Sequence, residues 1–312
     1  MPAGNARRPR EPLGDPPEDA DLHAEEDGRQ LSASIPDTVG AARRETARRL
    51  RAAGIETPDL DARFLIEGIA RDQDRDSILD ERQRAELAHV IRRRLAGEPV
   101  WRILGEREFW GLPFSLSAAT LEPRPDSETL IETSLAWLGP RRSSPLSILD
   151  LGTGTGCLLI ALLSECPLAQ GLGVDASEAA CATARANALR NGVADRSRFV
   201  VADWAGPLAA KFDLILSNPP YIPQRELARL APSVRDYDPV RALDGGADGL
   251  DPYRRLASQI PLILAEGGLL VLEIGAGQEA DVVAILAREG LVHRGSRADL
   301  GGHPRAICFT LA

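Results

Sequence analysis

The sequence has few aromatic and few sulfur-containing residues. Phenylalanine, tryptophan and tyrosine make up 4% of its 312 residues, and it has four cysteines and one methionine. No cysteines form a C-x-x-C pair and the four histidines do not cluster near them, so the spacing favours neither a zinc site nor a disulfide framework. We expect no metal, small buried thiols, and a core of Leu, Ala, Val and Ile.

Long apolar runs and a basic balance are also missing. No run approaches the roughly 20 apolar residues that span a membrane, and the first residues include Pro, Arg and acids instead of the apolar stretch of a signal peptide. We therefore expect a cytoplasmic chain that does not enter a membrane. The net charge of -9 disfavours a broad nucleic-acid surface, and we attribute the arginine-rich composition, with Lys211 as the single lysine, to compositional bias.

The pattern of residues changes along the chain, which is long enough for one large and one smaller domain. Residues 1 to about 35 are rich in Pro, Gly, Asp and Glu without periodicity, which predicts a disordered tail. Residues 36–98 carry apolar residues at helical spacing in three segments and predict a helical bundle. In residues 99–125, short strand-like runs broken by Gly105, Gly111 and Pro113 predict a β-hairpin linker.

Residues 126–312 alternate between strand and helix patterns. Strands are predicted over 146–151, 171–174, 199–202, 212–216, 269–274, 291–297 and 305–311, and helices over 158–163, 176–190, 253–264 and 279–289. This alternation predicts an α/β fold with a doubly wound, seven-stranded, mostly parallel sheet. Because no helix separates the last two strands, we expect the final one to run antiparallel.

A glycine-rich segment, residues 152–156, follows the first of these strands; we call it the glycine turn. Gly152, Gly154 and Gly156 let the backbone approach a ligand, and the helix that follows favours a carboxylate or phosphate at its N-terminus. The dinucleotide fingerprint would need another glycine at Cys157. The spacing therefore favours S-adenosylmethionine, which has a carboxylate and an ammonium but no phosphate, and Asp150 could accept from that ammonium.

Two further strand ends offer groups to the same ligand. Asp175 ends the second strand, where a carboxylate can accept both hydroxyls of a ribose; capping a helix is its alternative role, which Ser177 could also fill. Asp203 ends the third strand and could accept from an adenine amino group, while Trp204 offers a face to the ring or belongs to the core. We expect these strand ends to converge on one nucleoside site.

The sequence Ser-Asn-Pro-Pro-Tyr, residues 217–221, follows the fourth strand. Two prolines end the strand and stiffen the turn, so the Pro219 carbonyl points into the crevice. That carbonyl and the side-chain oxygen of Asn218, together the amide clamp, could accept both hydrogens of a planar NH2 group and align its nitrogen with a sulfonium methyl, with Tyr221 stacking on the flat group. Exocyclic amino groups of bases and side-chain amides both have such a nitrogen, and the motif leaves both open.

Five segments together resemble the PrmC or HemK family of protein-glutamine methyltransferases, which modify peptide-chain release factors. The similarity runs from about residue 37 to the end and rests on Gly105–Gly111 (GEREFWG), Pro123–Glu128 (PRPDSE), Asp150–Gly156, Asn218–Tyr221 and Asp244–Leu250 (DGGADGL). Pro123–Glu128 discriminates best, because the related ribosomal-protein glutamine methyltransferases usually differ there. Two positions depart from the family: Glu122 is usually apolar, and Ser127 is more often threonine.

The resemblance implies a Rossmann-like class I methyltransferase fold over residues 126–312, with a small N-terminal helical domain that helps hold the release factor. It implies methyl transfer from S-adenosylmethionine to the glutamine of the factor's Gly-Gly-Gln loop. Arg124 and Glu128 would lie beside the pocket, unless they anchor the linker through an ion pair. The expected cofactor-binding residues are Asp150, Gly152, Thr153, Gly154, Thr155, Gly156, Asp175, Asp203, Trp204 and Asn218. The residues expected to hold the glutamine are Asn218, Pro219, Pro220 and Tyr221, with Asn218, Pro219 and Tyr221 expected to be catalytic.

Three alternatives remain open from the sequence. The first two are a ribosomal-protein glutamine methyltransferase and an adenine-amino methyltransferase acting on DNA or RNA, and the third is a non-catalytic cofactor-binding scaffold. A nucleic-acid enzyme would need a basic track and usually a target-recognition domain. We expect a monomer that binds release factors and makes no direct contact with nucleic acid.

Overall fold

The computed structural model describes residues 34–206 and 208–312, and the chain divides into two compact units between Ala96 and Gly97. The tail predicted over residues 1 to about 35 lies outside the described residues except for its last two positions. Of these two, Ile35 is buried, which the prediction of a disordered tail did not anticipate.

Three helices, α1 (Val39–Ala52), α2 (Pro58–Ile69) and α3 (Glu81–Leu95), form the described part of the first unit. The predicted N-terminal helical domain is therefore confirmed. Asp80 starts α3 with a capping box, in which its carboxylate accepts from the Gln83 backbone N–H and the Gln83 side chain accepts from the Asp80 backbone N–H. These bonds satisfy backbone donors that the first helical turn leaves free.

The second unit begins with α4 (Val100–Leu104) and the antiparallel hairpin of β1 (Glu106–Phe109) and β2 (Leu112–Ser115). The hairpin agrees with the sequence, but two details of the prediction are wrong. Residues 100–104 form a helix instead of a strand, ended by Gly105 with a φ of 74°. Pro113 lies inside β2 instead of breaking it, because it is exposed on a two-stranded ribbon where its missing N–H costs little.

A seven-stranded sheet forms the centre of the second unit, with the strand order β5-β4-β3-β6-β7-β9-β8. Its strands are β3 (Ser147–Leu151), β4 (Gln170–Asp175), β5 (Ser197–Val201), β6 (Phe212–Ser217), β7 (Leu264–Glu273), β8 (Leu291–Ala298) and β9 (Pro304–Leu311). The accompanying helices are α5 (Glu128–Leu138), α6 (Cys157–Glu165), α7 (Glu178–Arg190), α8 (Gln224–Leu227), α9 (Pro232–Arg235), α10 (Asp251–Ile263) and α11 (Glu279–Ala287). Short 3-10 helices cover Pro125–Ser127, Gly139–Ser143, Ala194–Arg196 and Val240–Ala242.

Within the seven-stranded sheet, β9 runs in the direction opposite to the other six strands, which confirms the prediction for the final strand. The central strands are apolar along their length because two hydrophobic clusters cover the two faces of the sheet. In β3, for example, Ile148 belongs to one cluster and Leu149 to the other, and both are fully buried. The parallel strands β3, β4, β5 and β6 therefore have their carboxyl ends at the same edge of the sheet.

Candidate active site

A cavity of about 500 Å³ opens at the carboxyl ends of β3, β4, β5 and β6. Its lining includes residues of the glycine turn, Asp175, Asp203, Trp204 and Asn218. The structure thus brings together residues that the sequence placed at four separate strand ends. Their convergence follows from the parallel pairing of the strands.

The glycine turn has a backbone that other residues adopt only with strain. Gly152, Gly154 and Gly156 have φ angles of 76°, 53° and 82°, in the left-handed region that favours glycine. A Cβ added at Gly152 would approach no atom closer than 3.8 Å, which is ordinary van der Waals contact, so the positive φ and not tight packing favours glycine here. A Cβ at Gly156 would lie 3.0 Å from Ile160, so the third glycine serves close packing of α6.

Asp150 lies directly behind the glycine turn and is 1% exposed. Its Oδ2 accepts from the Thr153 hydroxyl at 2.7 Å, whereas Oδ1 has no hydrogen-bond partner. Burial raises the pKa of this carboxyl to about 7. A buried oxygen without a partner beside the turn fits a ligand that carries a cationic group, as S-adenosylmethionine does. Asp150 itself is not part of the cavity lining.

Asp175 orders the turn as well as lining the cavity. Its Oδ2 accepts from the Gly154 backbone N–H at 2.9 Å, and its Oδ1 accepts from the Ser177 N–H at 2.8 Å. Ser177 caps α7 by accepting from Ala180, so the capping role that the sequence left open belongs to Ser177. Each carboxylate oxygen keeps further lone-pair capacity, which leaves Asp175 able to accept from ribose hydroxyls.

Asp203 and Trp204 form the wall of the cavity beyond β5. The Asp203 carboxylate pairs with Arg255 and is 67% exposed. Trp204 has a φ of 56°, which is rare for a residue other than glycine and is held only where the surroundings enforce it. Its ring packs against the core while lining the cavity, so the core role is observed and stacking on an adenine stays a prediction.

Asn218 leaves β6 with its side chain fixed from behind. Its Nδ2 donates to the Ser127 hydroxyl at 3.2 Å, and that hydroxyl donates to Oε2 of Glu273 at 2.5 Å. Burial raises the pKa of the Glu273 carboxyl to about 7. Glu273 was not predicted from the sequence, in which its only signal is an acid at the end of an apolar strand.

The other members of the Asn-Pro-Pro-Tyr segment are placed differently from one another. Pro220 lines the cavity, but the lining includes neither Pro219, which is buried, nor Tyr221. The Tyr221 ring packs against the core, its hydroxyl lies 3.5 Å from Oε1 of Glu273, and burial raises its pKa to about 12. The structure therefore shows neither Tyr221 stacking on a substrate nor the Pro219 carbonyl facing the cavity, and both stay predictions.

Arg124 lines the cavity, whereas Glu128 does not. The Arg124 guanidinium lies 2.6 Å from Oδ2 of the buried Asp238, whose Oδ1 also accepts from Arg102. An ion pair thus anchors the segment before α5, which is one of the two roles that the sequence left open for Arg124. Glu128 instead accepts from the Trp110 backbone N–H at 3.0 Å, so its carboxylate holds the hairpin.

Glu122 is one of the two positions that depart from the family, and it also lines the cavity. It is buried and forms an ion pair with Arg107, whose guanidinium lies 5.6 Å from the centre of the Trp101 ring. The acid is therefore neutralised by an adjacent cation in place of the apolar packing expected at this position.

In residues 34–206 and 208–312, no cluster of three or more His, Cys, Asp or Glu side chains could hold a metal ion. Over the same residues, no helix combines the length and the apolar character needed to cross a membrane.

Two family models match the chain: the PrmC N-terminal domain over residues 41–105 and the methyltransferase small domain over residues 136–231. The chain is 47% identical over 279 residues to the release factor glutamine methyltransferase of Bradyrhizobium diazoefficiens, covering 86% of this chain and 94% of that protein. It is 48% identical over 269 residues to the protein of the same name from Rhodospirillum rubrum, covering 83% and 81%.

Among solved structures, the hMettl16 catalytic domain in complex with MAT2A 3'UTR hairpin 6 matches with a TM-score of 0.52 and 16% identity, covering 73% of this chain and 82% of that one. This likeness shows a shared fold, the class I methyltransferase architecture expected from the strand and helix pattern. The identity to the curated relatives and the length that it covers go further: the chain belongs to the release factor glutamine methyltransferase family.

Proposed function

We propose that this chain transfers a methyl group from S-adenosylmethionine to the side-chain amide nitrogen of the glutamine in the Gly-Gly-Gln loop of a release factor. One observation carries the proposal: Asn218 and the glycine turn line the same cavity. The Asn218 backbone oxygen lies 4.0 Å from the point where a Cβ of Gly152 would be. Asn218 therefore lies directly beside a turn suited to a nucleoside with a carboxylate.

The residues around the cavity fit the cofactor. The N-terminus of α6, which follows the glycine turn, suits its carboxylate, Asp175 suits its ribose, and Trp204 with Asp203 suits its adenine. The lone oxygen of Asp150 suits its ammonium. When bound, S-adenosylmethionine supplies an electrophilic methyl group on a sulfonium.

The amide clamp then acts on the glutamine. An amide nitrogen is a poor nucleophile, since its lone pair is conjugated with the carbonyl. Oδ1 of Asn218 and the carbonyl oxygen of Pro219 accept the two amide hydrogens, which fixes the direction of the nitrogen and raises the electron density on it. No side chain needs to act as a strong base, because the product nitrogen can release its proton after transfer.

The helical unit helps to hold the release factor, and an exposed loop suits an open cavity because the glutamine can enter without unfolding its host. Arg124 and Pro220, both at the cavity, contact the entering loop. The chain acts as a monomer, without direct contact to nucleic acid, in the cytoplasm where release factors work.

Mass spectrometry tests this function directly. Purified release factor is incubated with the enzyme and S-adenosylmethionine, and its peptides are fragmented to locate any added methyl group. We expect one methyl group on the glutamine of the Gly-Gly-Gln loop. A parallel assay with a labelled methyl donor offers release factor, ribosomes and DNA separately; label in DNA or ribosomes alone would replace this proposal with one of the alternative substrates.

A further inference from the structure

We propose that Glu273, acting through Ser127, is a positioning residue that orients the Asn218 amide so that Oδ1 faces the cavity. The effect of this orientation on methyl transfer rests on the function proposed above, whereas the hydrogen-bond geometry does not. No motif in the sequence linked these three residues, which lie up to 146 positions apart.

The fold brings the three side chains together at the end of the sheet. Ser217, the residue before Asn218, pairs with Leu272, the residue before Glu273, so β6 and β7 end side by side. Ser127 lies in the 3-10 helix that precedes α5. Ser127 and Glu273 are 2% and 1% exposed, so both side chains are buried, and Ser127 also borders the cavity.

The directions of the hydrogen bonds follow from the number of donors. A serine hydroxyl has one hydrogen and two lone pairs, and an ionised carboxylate only accepts. The single hydrogen of Ser127 therefore goes to Glu273, and the oxygen of Ser127 can only accept from its other neighbour. Asn218 must then present its NH2 group to Ser127, which turns Oδ1 the other way.

The opposite orientation of the same side chain would defeat the amide clamp. The two ends of an asparagine amide have nearly the same shape, so shape alone does not distinguish them. With its NH2 group toward the cavity, Asn218 would present donors to the donors of the glutamine amide. In the observed orientation, no hydrogen-bond donor among the described residues reaches Oδ1, which leaves it available to accept from the substrate.

The charge of Glu273 controls this chain of bonds. If Glu273 carried a proton or were a glutamine, it could donate to the Ser127 oxygen. The Ser127 hydrogen would then be free to bond to Oδ1 of a flipped Asn218. Both orientations of Asn218 would satisfy the network, and its specificity for the accepting orientation would be lost.

Several groups face Glu273 and set its protonation. They are Asp126 and Ser127 before α5, Tyr221 after β6, Tyr253 of α10, whose hydroxyl donates to the Glu273 backbone oxygen, and Arg305 of β9. Burial is the largest influence on the pKa of Glu273 and raises it, and the charge of Asp126 also raises it. The hydrogen bond from Ser127, the charge of Arg305 and the bond from Tyr221 lower it. The ionised, orienting form gains population as the pH rises through about 7.

Single-turnover kinetics test the role of Glu273. We expect Glu273→Gln and Ser127→Ala to lower the methyl-transfer rate by roughly five- to tenfold, the effect of losing one or two directing hydrogen bonds, with the cofactor Kd unchanged by calorimetry. The wild-type rate should rise with pH around 7, and Glu273→Gln should lack this rise. Ser127→Thr keeps the hydroxyl and should recover most of the rate.

Ser134→Ala is the matched control. It also removes a fully buried serine hydroxyl, which donates to the Leu130 carbonyl within α5. Thermal unfolding of every variant shows whether it is folded. A wild-type rate in both Glu273→Gln and Ser127→Ala would overturn the inference, as would an equal loss in Ser134→Ala.

NMR separates this inference from the proposed function. The Nδ2 hydrogens of Asn218, assigned by their absence in Asn218→Ala, should exchange with water more slowly in the wild type than in Glu273→Gln or Ser127→Ala. This readout needs no substrate. If release factor is not methylated but the exchange still depends on Glu273, the function fails and the orientation stands. If release factor is methylated and neither exchange nor rate depends on Glu273, the positioning role fails.

Discussion

At the scale of single residues, Asn218 has the largest expected effect on catalysis. Asn218→Ala removes the clamp oxygen but leaves the backbone of the glycine turn and the Asp175 contacts in place. We expect the cofactor Kd to be retained and turnover to fall by about 100-fold or more, as for other lost transition-state contacts. Calorimetry with the cofactor and single-turnover rates measure the two effects, and wild-type turnover would refute the clamp.

Asp175 should affect binding instead of turnover. Asp175→Ala removes the proposed ribose acceptor together with the bond that holds the Gly154 N–H, so we expect cofactor affinity to weaken by about tenfold or more. Asp213→Ala is the control, because that carboxylate also accepts a backbone N–H, from Ser147 at the start of β3. If calorimetry gives the same Kd for wild type and Asp175→Ala, the residue does not belong to the site.

The sequence predicted the residues whose role depends on local pattern. The glycines of the turn, Asp175, Trp204 and Asn218 each follow a strand, and the ends of parallel strands meet. It could not predict side chains that meet only through the fold. Ser127 reaches Glu273 across 146 positions and Arg124 reaches Asp238 across 114, and no periodicity connects such distant residues.

At the scale of elements, β4 has a glycine where the sheet supports the cofactor site. A Cβ at Gly173 would lie 2.7 Å from Cε1 of Phe199 and 2.9 Å from the Thr153 hydroxyl. We expect Gly173→Ala to lower the free energy of unfolding by about 1–3 kcal/mol through overpacking, and to weaken cofactor binding by displacing Thr153.

Urea denaturation followed by tryptophan fluorescence measures this loss for the second unit, because all four tryptophans lie between positions 101 and 204. The control is Gly206→Ala, where a Cβ would meet no atom closer than 3.6 Å and φ is not positive. Equal stability of Gly173→Ala and wild type would show that β4 and β5 can separate without cost.

Long helices and strands were easier to predict from the sequence than short ones. Long periodic runs predicted the three N-terminal helices and the strand and helix alternation correctly. The five residues of α4 were wrongly assigned, since Val100, Ile103 and Leu104 form a run too short for periodicity to distinguish helix from strand. β7 begins at Leu264, five positions before the prediction, and it includes Gly267 and Gly268, which have low strand propensity.

At the scale of the whole molecule, two buried acids make stability depend on pH. Burial raises the pKa of both Asp150 and Glu273 to about 7, whereas the unfolded chain releases these protons near pH 4. Between these values the folded state binds more protons than the unfolded state. The free energy of unfolding should therefore be highest below about pH 4 for these groups, fall by a few kcal/mol as the pH rises to about 7, and level off above it.

Denaturation at pH 5 and pH 8 checks this dependence in wild type and in Asp150→Asn, which is neutral at both values. We expect the loss of stability between the two conditions to be smaller in the variant. The acids with a lowered pKa, such as Glu45 and Asp248 at about 2, do not titrate in this window. An identical loss in both proteins would mean that Asp150 is already ionised when the chain is folded.

The position of β9 has a consequence for biosynthesis. Residues 264–273 leave the ribosome before residues 304–311, yet β7 is completed only when β9 pairs along it. Until then, the edge of β7 is open along Leu269 to Leu272, residues that are fully buried in the complete fold. The unpaired backbone groups of this edge can pair with other chains. We therefore expect a chain that ends before residue 304 to lack β9, expose this edge of β7 and aggregate more readily than the full chain.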